Sequence, residues 1–248
     1  MLGMSDTRRR VCFDKSKFLL YKPYRGLHLA YHAKRFCFSG RSQFQQIDII
    51  DNDAYGRMLF LDHNLQHTAY DAPIFNEALC GRAKRSRIRR VIVLGGGSGQ
   101  TLMSLLQSKS LEKVAVVEID PMLVESCIRY IPGVGRAFRD PRVTVRITDA
   151  FAYLHATQEE FDAAIIDLTE NPLRMSKSTI AILYSDINAK CAGRCSQYVG
   201  SSVELAHTPL RRTACRLSRK MLSKVVFEDV FIPSFGAPHT FMHAGYAL

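Results

Sequence analysis

Four short apolar runs, each followed by a stretch long enough for a helix, constrain the fold of this chain more than any other feature. The runs are RRVIVLGGG, EKVAVVEID, PRVTVRITDA and FDAAIIDL. Nearly continuous apolar strands that alternate with helices are typical of a parallel sheet covered on both faces. GQTLMSLLQS and PMLVESCIRYI are the first two predicted helices, the second with Asp120 as N-cap and Pro121 in its first turn. We therefore predict an α/β fold with a doubly wound, Rossmann-like sheet.

The first 85 residues do not show this rhythm. SQFQQIDIIDND and AYGRMLFLDHNLQ alternate polar and apolar residues, and DNDAYG between them has the composition of a turn. We predict a small N-terminal domain of β-hairpins with a basic linker over residues 1–85. The ligand-binding domain is predicted to follow over residues 86–248.

The charge of the chain is strongly basic, because 34 Lys and Arg residues oppose 23 Asp and Glu residues and give a net charge of +11. Much of it lies in GRAKRSRIRR (Gly81–Arg90) and in PLRRTACRLSRK (Pro209–Lys220). Such a surface attracts polyanions, so RNA or a ribonucleoprotein is a candidate partner. Two solvated basic faces would explain the same composition.

Several classes of protein are disfavoured by what the sequence contains. It has no run of 18 apolar residues, and MLGMSDTRRRVCF lacks an apolar signal segment, so we expect a cytoplasmic protein with no membrane partner, mitochondrial import being the alternative. Seven cysteines, an odd count, predict reduced thiols. Neither CAGRC nor the pairs His63/His67 and His239/His243 has the partners of a zinc site, so we predict no metal and interpret these histidines as surface or turn residues.

Ligands of open α/β sheets bind at the carboxyl ends of the strands. Four candidate contacts occupy those ends: the turn Gly95–Gly99, then Glu118, Asp149 and Asp167 after the next three apolar runs. A carboxylate at such a position, taken singly, is equally explained as a helix N-cap.

The glycine turn LGGGSGQ discriminates between two kinds of nucleotide. A dinucleotide fingerprint would place its third glycine at position 100, where this chain has Gln100. Glu118 follows about twenty residues later, where a carboxylate accepts both ribose hydroxyls. Asp149 is then placed to accept from an adenine amino group, with Ala150 leaving room for the ring. An adenosine bound without a pyrophosphate points to an S-adenosyl sulfonium compound.

Several motifs along the chain resemble those of the spermidine and spermine synthases, the polyamine aminopropyltransferases. In order they are SQFQQI, AYGRMLFLDHNLQ, LGGGSGQ, VEID, TDA, IIDLTENP and FIPSFG, and they extend over roughly residues 40–248. The resemblance implies a methyltransferase-like domain of seven strands beside a small β domain that often makes oligomer contacts, hence a homodimer or homotetramer. It also implies decarboxylated S-adenosylmethionine as donor substrate, a small-molecule amine as acceptor and no tightly bound cofactor.

The same resemblance assigns roles to single residues. Gln45 and Gln66 would reach the nucleoside or its aminopropyl arm, Glu118 would hold the ribose, and Asp149 with Ala150 would frame the adenine. Gly95, Gly97, Ser98 and Gly99 would form the donor turn. Asp167 matches the catalytic aspartate, and Glu170 matches a second acid that anchors the acceptor amine. The acceptor pocket would be formed by Phe75, Asn76, Glu77 and Phe235.

The departures from the family pattern concern charge and hydroxyl groups. Ser98 stands where the family has the Asp that holds the donor ammonium. Phe75 and Phe235 replace two tyrosines, and NPLRMSKS, with Arg174 and Lys177, replaces the gate loop D-P-x-G-P-A. These two cations would repel a polyamine.

Ser98 keeps three functions under consideration. Aminopropyl transfer to an amine, in polyamine biosynthesis, is the leading hypothesis. Intact S-adenosylmethionine carries a carboxylate that an Asp at position 98 would repel, so a neutral residue there favours an N-methyltransferase as the alternative, similar to the plant putrescine N-methyltransferases. The third hypothesis is a catalytically inactive homologue that acts as a scaffold or an RNA-associated subunit.

Overall fold

The N-terminal part of the protein consists of β-strands. The computed structural model describes residues 17–24, 26–86, 88–168, 176–203 and 210–246. Two antiparallel strands form a hairpin, and four more form an antiparallel sheet in the order β3-β4-β5-β6. The strands are β1 (Phe18–Tyr24), β2 (Leu27–His32), β3 (Arg35–Arg41), β4 (Gln46–Asn52), β5 (Gly56–Leu61) and β6 (Asn64–Thr68).

A seven-stranded sheet follows, in the order β12-β13-β11-β10-β7-β8-β9. Five neighbouring strands pair in parallel, in the order β11-β10-β7-β8-β9, and β13 runs antiparallel to both β11 and β12. The strands are β7 (Arg90–Gly95), β8 (Lys113–Glu118), β9 (Val143–Ile147), β10 (Ala163–Asp167), β11 (Cys195–Ser201), β12 (Val226–Ile232) and β13 (Ala237–Ala244). The four apolar runs are therefore strands β7 to β10, and the predicted α/β fold is confirmed as a mixed rather than purely parallel sheet.

Helices cover both faces of this sheet. They are α1 (Ala72–Arg85), α2 (Gln100–Leu105), α3 (Pro121–Tyr130), α4 (Val134–Phe138), α5 (Ala150–Ala156), α6 (Lys177–Lys190) and α7 (Leu210–Met221). Alternate residues of β7 show why two cores form: Ile92 and Leu94 pack with residues of α5 and α6, whereas Val91 and Val93 pack with residues of α1 and α2.

Helix α1 departs from the sequence prediction, which placed Gly81–Arg85 in a linker. Leu79, Cys80 and Ala83 are buried against the sheet. Packing of this face stabilises the helix, although its basic residues and its glycine led to the prediction of an irregular linker. The helix thus belongs physically with the sheet domain.

The two parts share a core. Ile47 and Leu59 of the four-stranded sheet pack against Leu123, Cys127 and Val134. The β4–β5 hairpin therefore rests on the α3–α4 region, next to the carboxyl end of β8.

The structure also bears on the predictions for the cysteines and the histidines. Five described cysteines are free thiols and four of them are buried, whereas three histidines interpreted as surface residues, His67, His239 and His243, are buried. Their strands lie inside the molecule, and alternation points these side chains inward. None of the described helices is long and apolar enough to cross a membrane.

Candidate active site

A cavity of about 900 Å³ opens at the carboxyl ends of the central strands. It is lined by the glycine turn after β7, by Glu118 and Asp167 at the ends of β8 and β10, and by residues of β6, β11 and β13. Besides the two carboxylates, six of the predicted residues belong to this lining: Gln66, Phe75, Asn76, Gly97, Ser98 and Phe235. The strand-end prediction thus locates the cavity.

The glycine turn fits closely between the two carboxylates. Gly95 has a φ of +82°, and a Cβ atom there would lie 2.3 Å from the carbonyl oxygen of Asp167. A Cβ atom at Gly97 would lie 2.7 Å from Glu118 Oε2. Only glycine therefore permits this turn to lie between Glu118 on one side and Asp167 on the other.

Glu118 is held by three backbone amides. Gly97 N–H donates to Oε2 at 3.0 Å, and the N–H groups of Ile119 and Asp120 donate to Oε1 at 2.8 and 3.0 Å. Burial raises the pKa of this carboxyl, and the three amides oppose the rise. A carboxylate has about four lone-pair sites, and three are used here, so Oε2 retains capacity for one hydroxyl donor from a ligand.

Asp167 is half-buried at the end of β10 and receives a hydrogen bond from Thr101 Oγ1 at 2.5 Å. Burial raises the pKa of Asp167, and the bond from Thr101 lowers it in part. A carboxylate with a raised pKa is a stronger base than a solvated one, which suits it to accept a proton from an amine.

Thr101 was not anticipated from the sequence. Its Oγ1 also lies 3.5 Å from Asn76 Oδ1, and Asn76 Nδ2 donates to the carbonyl oxygen of Ala72 at 2.8 Å. Helices α1 and α2 thereby fix the orientation of Asp167 from behind the glycine turn. No local motif signals this contact, because Thr101 and Asp167 are 66 residues apart.

Aromatic rings form one end of the cavity. Phe75 lies 5.2 Å from Tyr198 and 6.1 Å from Phe235, measured between ring centroids. Phe235 lies 4.6 Å from the His239 ring, whose Nδ1 is 2.7 Å from the Tyr198 hydroxyl. Tyr198 and His239 were missed because they come from β11 and β13, which the apolar runs did not include.

Other predicted residues stand apart from the cavity lining. Gln45 donates to Asp120 Oδ2 at 2.9 Å, while Asp149 is exposed and caps α5 by accepting from Ala152 N–H at 2.7 Å. Ala150 is buried beneath the same helix start. Gly95 and Gly99 shape the turn without lining the cavity.

Glu77 does not face the cavity either. It pairs with Lys84 and Arg85 along the exposed side of α1. Successive residues of a helix point about 100° apart, so Asn76 reaches the cavity and its neighbour does not. The assignment of Glu77 to the acceptor pocket is corrected accordingly. Two other predicted residues, Glu170 and Arg174, lie outside the described residues.

Within the described part of the chain, no three His, Cys, Asp or Glu side chains are grouped so that they could hold a metal ion. Ser98 lines the cavity and is half-buried, with its Oγ 3.4 Å from the Gln100 amide nitrogen. The glycine turn therefore presents an uncharged hydroxyl to a ligand.

Comparison with known families gives two matches that together extend over most of the chain. A model described as the spermine/spermidine synthase domain matches residues 69–240, and one described as the spermidine synthase tetramerisation domain matches residues 18–69.

Curated relatives include both kinds of transferase considered from the sequence. A polyamine aminopropyltransferase of Pyrobaculum aerophilum is 40% identical over 53% of this chain and 47% of its own length. Putrescine N-methyltransferase 1 of Nicotiana tabacum is 31% identical over 71% of this chain and 47% of its own length. The chain spans about half the length of the curated relatives it matches.

The fold agrees with a solved structure. A spermidine synthase in complex with the transition-state analogue AdoDATO superposes with a TM-score of 0.83, at 23% identity, over 93% of this chain and 81% of that one.

Proposed function

The chain belongs to the spermine/spermidine synthase family, and we propose that it transfers the aminopropyl group of decarboxylated S-adenosylmethionine to an amine. One observation carries the proposal: a single turn places Glu118 and Asp167 on its two sides. A Cβ atom at Gly97 would lie 2.7 Å from Glu118 Oε2, and a Cβ atom at the adjacent Gly96 would lie 3.7 Å from Asp167 Oδ2. A nucleoside held at Glu118 would extend its sulfonium arm past the turn toward Asp167.

Asp167 would act on the acceptor. The amine nitrogen attacks the methylene carbon beside the sulfonium, an N–C bond forms, and the C–S bond breaks with its electron pair going to sulfur. Methylthioadenosine leaves as a neutral thioether. Asp167 accepts the proton that the nitrogen loses, and Thr101 holds the carboxylate oxygen in place. Gln66 lines the donor side, and Glu170 is proposed as a second anchor for the amine.

The test is a product analysis with both donors. The purified protein is incubated with decarboxylated S-adenosylmethionine and, separately, with S-adenosylmethionine, each with 1,4-diaminobutane or 4-amino-1-butanol. We expect an aminopropylated amine and methylthioadenosine from the decarboxylated donor. Failure to form either product, with the donor shown calorimetrically to bind, would reject the proposal.

Ser98 favours N-methyl transfer from intact S-adenosylmethionine as a second candidate. Its hydroxyl lines the cavity without a negative charge, and putrescine N-methyltransferases are among the relatives. Ser98→Asp should tighten binding of the decarboxylated donor through a charged hydrogen bond and weaken binding of the intact donor by repulsion between carboxylates. A methylated amine as the product of the unmodified protein would support this candidate over the first.

We also propose that the protein forms a homodimer or homotetramer through its N-terminal strands. The tetramerisation-domain match lies on residues 18–69, and this region exposes Leu20, Phe36 and Phe44 at 55%, 43% and 39% of their surfaces. Light scattering of Leu20→Glu beside the unmodified protein tests the assignment, and an unchanged mass would argue against a role for this side chain in assembly.

A further inference from the structure

The two oxygens of the Asp167 carboxylate have different surroundings. Oδ2 accepts the hydrogen bond from Thr101 Oγ1 at 2.5 Å, and a Cβ atom at Gly96 would lie 3.7 Å from it. Oδ1 receives no hydrogen bond from the described residues, and it is not one of their enclosed unpaired atoms. Because Asp167 is half-buried and lines the cavity, Oδ1 is the oxygen that a ligand in the cavity can reach.

The Thr101 hydroxyl has one hydrogen and two acceptors near it. Asp167 Oδ2 lies at 2.5 Å and Asn76 Oδ1 at 3.5 Å. The shorter distance and the negative charge of the carboxylate both favour donation to Asp167. Only 1% of Thr101 is exposed, so any effect of its hydroxyl on a ligand is transmitted through Asp167.

The fold holds both partners of this bond in place. Asn76 Nδ2 donates to the carbonyl oxygen of Ala72 at 2.8 Å within α1, and this bond directs Asn76 Oδ1 toward Thr101. Asp167 ends β10, which pairs in parallel with β7, and the glycine turn after β7 leads into α2, where Thr101 lies. The position of the hydroxyl relative to the carboxylate is therefore set by two helices and two strands.

From this asymmetry, and resting on the proposed function, we infer that Thr101 is a positioning residue: it holds Oδ2 of Asp167 and leaves Oδ1 as the atom that accepts the proton of the acceptor amine. The attacking nitrogen first bonds to the aminopropyl carbon. Its N–H bond then breaks, the proton passes to Oδ1, and the electron pair of that bond stays on the nitrogen. Oδ2 keeps its hydrogen bond from Thr101 throughout the step.

The same bond favours the charged form of the base. Burial raises the pKa of Asp167, and the bond from Thr101 opposes that rise. Cys80 of α1 is close enough for its charge to interact with that of Asp167, but burial raises the pKa of its thiol, which stays neutral, and Glu118 lies on the other side of the glycine turn. Loss of the hydroxyl should therefore raise the pKa of Asp167 and allow the carboxylate to rotate.

Replacement of the hydroxyl by a methyl group of the same shape tests the inference. In Thr101→Val we expect kcat to fall about tenfold, KM for the amine to change by less than about twofold, and the acidic limb of the kcat profile to move to higher pH. Thr101→Ser keeps the hydroxyl and should restore kcat to within about threefold of the unmodified protein. An unchanged kcat and pH profile in Thr101→Val, or no recovery in Thr101→Ser, would overturn the inference.

Thr240→Val is the matched control. Thr240 is also a buried threonine that donates to an aspartate, with its Oγ1 2.6 Å from Asp229 Oδ1, but it does not line the cavity. Loss of its hydroxyl should leave kcat and the pH profile as they are. If Thr240→Val lowers kcat as much as Thr101→Val does, the cause is a general loss of rigidity and the inference is wrong.

A titration of the ligand-free protein separates this inference from the proposed function. Nuclear magnetic resonance of the Asp167 carboxyl carbon, assigned with Asp167→Asn, follows its protonation without turnover. We expect a higher pKa in Thr101→Val than in the unmodified protein, and an equal pKa would overturn the inference. A higher pKa without aminopropyl transfer would reject the proposed function and leave Thr101 as a determinant of the Asp167 charge. Aminopropyl transfer that is unaffected in Thr101→Val would reject the inference alone.

Discussion

At the scale of one residue, the proposed role of Asp167 as proton acceptor carries an energetic cost. Its burial raises its pKa, so the charged form that must accept a proton is disfavoured in the folded protein. Asp167→Asn keeps the shape and an oxygen for the bond from Thr101 but removes the base. We expect turnover to fall by about 10² or more while donor binding survives. Turnover near that of the unmodified protein would show that another group accepts the proton.

The same substitution should change stability with pH. A carboxyl whose pKa is higher in the folded than in the unfolded state adds no penalty below its unfolded pKa, and the penalty grows as the pH rises toward the folded pKa. Asp167→Asn should therefore raise the midpoint of denaturant unfolding at pH 7 and have little effect near pH 4. A destabilised variant at pH 7 would contradict a raised pKa for Asp167.

Glu118 offers a test of the nucleoside end. Glu118→Ala removes the proposed acceptor of a ribose hydroxyl, and a charged hydrogen bond of this kind contributes roughly 1.5 to 3 kcal/mol. Methylthioadenosine affinity, measured by calorimetry, should fall accordingly. Because Glu118 also orders the glycine turn through Gly97 N–H, circular dichroism must first show that the variant is folded; unchanged affinity in a folded variant would move the ribose elsewhere.

The residues that could be predicted are those fixed by position in a strand. Glu118 and Asp167 lie at the ends of apolar runs. Because the corresponding strands are parallel, their carboxyl ends lie at the same edge of the sheet, which brings the two carboxylates close together. Tyr198, Ser201 and His239 could not be found this way, because their proximity depends on the antiparallel pairing of β11 with β13. Family resemblance did not recover them either, since it concerned motifs elsewhere in the chain.

At the scale of elements, Asp120 joins the start of helix α3 to the N-terminal sheet. Asp120 caps α3 through the N–H groups of Met122 and Leu123, and its other oxygen accepts from Ser42 and Gln45 of the β3–β4 turn. The start of α3 was predictable from Asp120 and Pro121, but its junction with the N-terminal sheet was not, because it joins residues 75 or more apart.

Asp120→Ala should accordingly cost more than the loss of a cap. An N-cap contributes about 1 kcal/mol, and the two contacts to the β3–β4 turn add to it. Asp149→Ala is the matched control, because Asp149 caps α5 from an exposed position. We expect Asp120→Ala to lower the free energy of unfolding more than Asp149→Ala does, and equal losses would show that the junction contributes no stability.

Helix α1 shows why an element can escape prediction. Its buried face is interrupted by Asn76, whose side chain is directed to the site, and by Gly81, so the apolar periodicity is weak. Function thus removes the signal on which secondary-structure prediction depends.

The charge of the whole molecule is partly balanced locally. Lys84 and Arg85 pair with Glu77, and Arg89 pairs with Glu112. Acidic side chains therefore pair with part of the positive charge in the segment Gly81–Arg90. The net charge of +11 alone does not identify this face as a binding site for a polyanion.

Three buried histidines make the whole molecule sensitive to acid. Burial lowers the pKa of His67 and His243 to about 4 and that of His239 to about 3, below the ordinary value of 6.5. Above pH 6.5 these rings are neutral in both states and add no pH dependence. As the pH falls below 6.5 the unfolded chain takes up protons that the folded chain cannot, so folding loses about 2 kcal/mol per histidine between pH 7 and pH 5.

This loss is measurable and can be assigned to single side chains. Denaturant unfolding of the ligand-free protein at pH 7, 6 and 5 should show a steep fall in the free energy of unfolding over a range in which ordinary carboxylates remain charged. His243→Leu removes one titrating ring away from the cavity and should reduce the fall by about 2 kcal/mol. Identical pH profiles for His243→Leu and the unmodified protein would mean that His243 takes up its proton in the folded state, against the burial that the sheet imposes on it.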